Sequence, residues 1–71
     1  MENEKQLSTQ FGMKVRKERL ELGISQEELG FKTGLDRTYI SGVERGVRNP
    51  SLKIIEKIAK ALNKEPRELV S

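Results

Sequence analysis

"SQEELGFKTGLDRTYISGVERG", residues 25–46, reads as helix interrupted by glycine at Gly30 and again at Gly34. A glycine inside a helix costs about 1 kcal/mol relative to alanine, so a small chain accepts two of them only for a reason. Ser25 with Glu28 three residues on forms a capping box, in which the hydroxyl and the carboxylate each take an orphan amide. A helix over about residues 26–33 follows, and Gly34 supplies the positive φ that stops it. Asp36 is the next N-cap, opening a helix over about 37–45 that Gly46 ends. The intervening turn is too short for an antiparallel hairpin, which leaves the steep helix-turn-helix arrangement. Two backbones crossing steeply need a small residue where they touch, and Gly30 occupies that place. Leu29, Leu35, Ile40 and Val43 fill the inner face around it. The competing reading gives Gly30 no role and makes Gly34 an ordinary stop. The capping box before the pair and the Asp cap after it weigh against that reading.

Outward from this unit the chain stays helical. Phe11, Val15 and Leu22 recur at helical spacing ahead of Gly23, so a first helix is expected over about 9–22. Residues 1–8, "MENEKQLS", read as a flexible N-terminal tail, and 9–71 as one domain built around the helix-turn-helix. "VRNPS" is a loop, and Ser51 caps a helix whose stripe is Leu52, Ile55, Ile58, Ala59 and Leu62. Asn63 suits its C-cap, and Pro66 suits the first turn of a last short helix, "PRELV". The expected fold class is all-α with five helices.

Composition narrows the function classes. The chain has 71 residues with no cysteine and no histidine, which excludes disulfides, the usual Cys/His zinc sites and Cys–His or Ser–His nucleophile pairs. Glu27 and Glu28 are adjacent, so they do not share a helix face as a catalytic carboxylate pair would. No catalytic constellation, metal site, cofactor or small-molecule ligand is evident, and an enzyme is not expected. No apolar run has membrane-span length and no signal-peptide pattern opens the chain, so a cytoplasmic location is expected. Net charge is only +3. Its placement says more than its size: between residues 37 and 53 lie Arg37, Arg45, Arg48 and Lys53 against Glu44 alone.

From about Phe11 to Val70 the chain resembles the lambda-repressor-like helix-turn-helix family, also called the XRE or Cro/C1 type. The residues that carry the likeness are "MKVRKERLELGISQEELG", "TGLDRTYISGVERGVRNPSL" and "IAKALN". The stretch "GLDRTYISGVERGVRNPSL" also resembles the controller proteins of bacterial restriction–modification systems. The resemblance implies that the helix from Arg37 enters the major groove. Its first turn then meets base edges. Arg37 can fork onto guanine O6 and N7, Thr38 offers a hydroxyl and a methyl, and Ser41 is a third base-reading candidate. Gly42, at a position that often carries a reading side chain in this family, would only permit close approach to DNA.

The resemblance further implies phosphate contacts from Gln26, which opens helix 2, and from Arg48, Asn49 and Ser51 before helix 4. Tyr39 would bond a phosphate through its hydroxyl; its alternative is a ring packed against helix 3. Arg19 and Glu44 match positions that form a buried ion pair in related repressors. Such repressors dimerise, and Ile54, Leu69 and Val70 are the candidate interface here.

The expectation is therefore a sequence-specific regulator of transcription, binding double-stranded DNA as a homodimer on a palindromic operator, encoded by a bacterium or phage. The alternative is a protein-interaction module, such as an antitoxin-like or phage regulatory factor.

Overall fold

A computed structural model describes residues 4–70 of the chain. They form α1 (Glu4–Leu22), α2 (Gln26–Thr33), α3 (Arg37–Glu44), α4 (Leu52–Ala61) and α5 (Pro66–Val70), with no strand among the described residues.

The α2–turn–α3 unit is specified locally. Both arms of the capping box are made: the Glu28 amide donates to Ser25 Oγ at 2.9 Å, and the Ser25 amide donates to Glu28 Oε1 at 2.8 Å. Gly34 has φ 75° and donates its N–H to the Gly30 carbonyl, as does Leu35 at 3.0 Å. Thr33, buried, locks the same turn by donating its hydroxyl to the Leu29 carbonyl at 2.8 Å. The Thr38 amide then donates to Asp36 Oδ1 at 2.7 Å, starting α3. A Cβ on Gly30 would stand 2.7 Å from the Leu35 carbonyl oxygen and 3.5 Å from the Arg37 nitrogen. The entry to α3 therefore rests on the bare backbone of α2, as the spacing predicts.

At its other end α3 stops at Glu44, one residue before the expected limit, in a Schellman turn. Gly46 N–H donates to the Val43 carbonyl and Val47 N–H to the Gly42 carbonyl, both at 3.0 Å. The C-cap of α4 is Leu62, and Asn63, read as the cap, follows one residue later in the left-handed conformation at φ 60°.

The helices enclose one core. Phe11 and Val15 come from α1, Leu29 from α2, Ile40 and Val43 from α3, Ile58, Ala59 and Leu62 from the α4 segment, and Leu69 from α5. The long α1 packs across α3 and α5, while α2 lies between α3 and α4.

The largest difference from the sequence reading is the start of α1. Helix α1 begins at Glu4, not Thr9, so residues 4–8 of the expected flexible tail are helical; 1–3 lie outside the described residues. The reason is tertiary. Ser8 is buried, and the backbone of Thr9 lies so close to Gly46 that a Cβ there would be 2.8 Å from Thr9 Cα. The start of α1 is thus held against the end of the α3 cap, a contact with no local sequence signal.

Candidate nucleic-acid interface

The first turn of α3 stands clear of the protein. Arg37 and Thr38 are exposed, and Arg37 has no salt-bridge partner among the described residues. Ser41, one turn on, is half-buried, and its Oγ accepts from Arg45 Nε at 3.4 Å. The hydrogen bond from Thr38 holds the Asp36 carboxyl below its usual pKa, so it is ionised at neutral pH.

Two flanking groups are tied to α3 by its own side chains. On one side, Arg19 and Glu44 form the expected buried pair, with Nε to Oε2 at 2.6 Å and Nη2 to Oε1 at 3.0 Å. Arg19 Nη1 also donates to the Ile24 carbonyl at 2.9 Å, which fastens the α1–α2 loop. The bond to Glu44 raises the Arg19 pKa above its ordinary value against the opposing effect of burial, so the guanidinium remains charged. Gln26 Nε2 donates to Glu44 Oε1 at 3.1 Å. A carboxylate accepts only, so it fixes which end of the Gln26 amide turns inward and leaves the second N–H for an outside acceptor.

On the other side, the Arg48 guanidinium lies over the Tyr39 ring, 5.5 Å from its centroid. Tyr39 is half-buried and packs against the core, which is the packing reading of that residue. Ser51 Oγ caps α4 by accepting from the Ile54 amide at 3.3 Å. The amides of Leu52 and Lys53 in that first turn have no partner inside the helix, and the Ser51 hydroxyl hydrogen can still be donated.

Three expectations need correction. Gly42 is buried and faces not an open groove but the returning loop: a Cβ there would meet Arg48 Cγ at 2.8 Å and Nε at 3.3 Å. Leu69 is 1% exposed and belongs to the core, so it offers no side chain to a partner; Ile54 is half-buried against the same core. Of the candidate interface residues only Val70 is exposed, while Leu52, assigned to the helix 4 stripe, is 80% exposed. Asn49 is exposed and also lines an apolar cavity of about 230 Å³ with Leu7, Phe11, Ile55, Leu69 and Val70. Missing from the sequence reading is Gly12, where α1 crosses α3 so closely that a Cβ would collide with the Val43 carbonyl oxygen.

Known proteins resemble the chain throughout. A family model described as helix-turn-helix matches residues 15–69. Control protein C.BamHI of Bacillus amyloliquefaciens is 56% identical over 61 residues, 84% of this chain and 75% of that one. The crystal structure of the restriction–modification controller protein C.AhdI from Aeromonas hydrophila superposes with a TM-score of 0.85 at 55% identity, covering 87% of this chain and 94% of that chain. The restriction–modification controller protein C.Esp1396I, solved as a tetramer in complex with its natural 35-base-pair operator, gives a TM-score of 0.81 at 43% identity. That match covers 89% of this chain and 83% of that one.

Proposed function

We propose, because the chain belongs to the helix-turn-helix family, that it is a sequence-specific regulator of transcription that binds double-stranded DNA as a homodimer on a palindromic operator. One observation carries the reading. The exposed turn of Arg37 and Thr38 is flanked by Gln26 and Arg48, and both flanking groups are anchored to α3 itself, through Glu44 and Tyr39. A base-reading turn with phosphate-binding groups tied to the same helix fixes register and specificity together.

In this reading Arg37, Thr38 and Ser41 meet base edges. Gln26, Tyr39, Arg48, Asn49 and Ser51 hold phosphates, with the α4 N-terminus assisting. Arg19 and Glu44 hold the Gln26 amide by its Nε2, so that the second N–H can meet a phosphate, and their opposite charges cancel, so Glu44 does not repel the backbone. The relatives named as control and controller proteins favour an operator that governs restriction–modification genes. Action at such an operator calls for a cytoplasmic protein. No catalytic step is part of the proposal.

The test is selection of bound DNA from a random pool, followed by gel shift on the selected site. Arg37→Ala should lose about 1–3 kcal/mol of discrimination against a site with the contacted guanine replaced. Undiminished discrimination removes Arg37 as the reader. Phe31, 91% exposed on α2, favours the second reading, a module that binds another protein. A DNA affinity that does not fall with added salt decides for that reading.

A further inference from the structure

We propose that Gly42 is a positioning residue for DNA binding. By lacking a Cβ it leaves the seat in which Arg48 folds back over α3 and stacks on Tyr39, so that arginine and phenol form one preorganised phosphate-binding unit. The inference rests on the DNA-binding reading above and assigns a role inside it.

Three observations lead to it. Gly42 lies within α3 at helical φ, unlike Gly23, Gly34 and Gly46, so its conformational freedom is not what the position uses. Glycine there weakens the helix relative to alanine. What the position uses is room: an added Cβ would be 2.8 Å from Arg48 Cγ, 3.3 Å from Arg48 Nε and 3.5 Å from Val47 Cγ2. Both of those neighbours are exposed side chains, so filling the space disturbs no core residue. The room therefore serves the placement of Arg48.

The Schellman turn explains the route. Val47 N–H bonds back to the Gly42 carbonyl, which brings the chain over Gly42 and delivers the next residue, Arg48, across the helix toward Tyr39. Arg48 has no carboxylate partner among the described residues, so its charge is available to an external anion. Cation–π attraction to the Tyr39 ring holds the guanidinium while leaving its N–H donors unspent. Ordering such a side chain before the phosphate arrives removes a cost otherwise met on binding.

The experiment compares wild type, Gly42→Ala, Arg48→Ala and the double variant by gel shift on the selected operator, over a series of salt concentrations. Gly42→Ala should melt at or above the wild-type temperature while its affinity falls by about twofold to tenfold, the range set by ordering one rotamer-rich side chain. Discrimination between operator and altered sites should hold, because phosphate contacts carry no sequence information. Arg48→Ala should lower the salt slope by about 1, and Gly42→Ala should add nothing to it. Wild-type affinity in Gly42→Ala, or additive losses in the double variant, overturns the proposal. An independent measurement on the folded wild type is the Arg48 side-chain proton shift, displaced by the Tyr39 ring current and restored toward the free value in Gly42→Ala. Undisplaced wild-type shifts also overturn it. Failure of wild type to select any DNA sinks the DNA-binding reading instead, a distinguishable result.

Discussion

Asp36 joins the turn to α3 through a single carboxylate, which accepts the Thr38 amide. That bond lowers its pKa on folding, so the native state favours the ionised form. A carboxylate depressed on folding adds stability above its unfolded value, near pH 4, and loses it as pH falls through the folded value. Asp36→Ser keeps a capping oxygen but does not titrate. Urea midpoints between pH 5 and pH 2.5 should fall less steeply in the serine variant than in wild type; parallel curves mean the cap does not contribute to acid sensitivity. Gly30 gives a second single-residue prediction. Alanine there gains about 1 kcal/mol of helix propensity but drives its Cβ to 2.7 Å from the Leu35 carbonyl oxygen, and overpacking typically costs about 1–3 kcal/mol. Backbone cannot yield as a side-chain tip can, so the net should be destabilising in urea titration, and a stabilised variant removes the close approach. Both positions were legible in the sequence because their jobs are local, set within six residues. Gly12 and Gly42 were not, since what covers them arrives from a distant helix or from the return of a loop.

Elements here are fastened by few, long-range ties. The Arg19–Glu44 pair joins α1 to the end of α3 with both side chains almost fully buried. Glu44→Ala leaves the Arg19 charge buried and unpaired and should cost about 3–5 kcal/mol in equilibrium unfolding. Arg19→Met with Glu44→Leu keeps volume without charge and should recover most of that loss. Its DNA affinity should nevertheless stay low, because Gln26 has lost the acceptor that orients it. Full recovery of binding with stability makes the pair purely structural. The capping box at Ser25, the N-caps Asp36 and Ser51, the glycine stops and the apolar stripes made α2, α3 and α4 readable within a residue or so. Helix α1 was readable only in its second half. Its first turns are polar and owe their helicity to packing against α5 and the α3 cap. Helix α5 spans five residues, too short for periodicity to separate inside from outside. That is why Leu69, 1% exposed, and Val70, 52% exposed, looked alike.

At the scale of the whole molecule the question is how a protomer 34 × 22 × 21 Å in extent reads a two-fold site. Half-sites one helical turn apart require recognition helices about 34 Å from each other, a separation at which two protomers of this size can meet across the dyad. The surface that offers itself combines Val70 at the end of α5, Leu7 at the start of α1, and Leu52 just past the Asn49–Pro50 rim of the apolar cavity. These side chains are exposed in the protomer, so Leu52→Asp with Val70→Asp should leave the fold intact. The double variant should sediment as a monomer at concentrations where wild type is a dimer. Its affinity for a single half-site should be unchanged. Its affinity for the full palindrome should fall by about 10²-fold or more, because the second half-site is no longer delivered at high effective concentration. Unaltered sedimentation places the contact elsewhere on the surface. A loss at the half-site equal to the loss at the palindrome makes Leu52 part of the DNA contact at the α4 N-terminus, and the two results separate assembly from recognition.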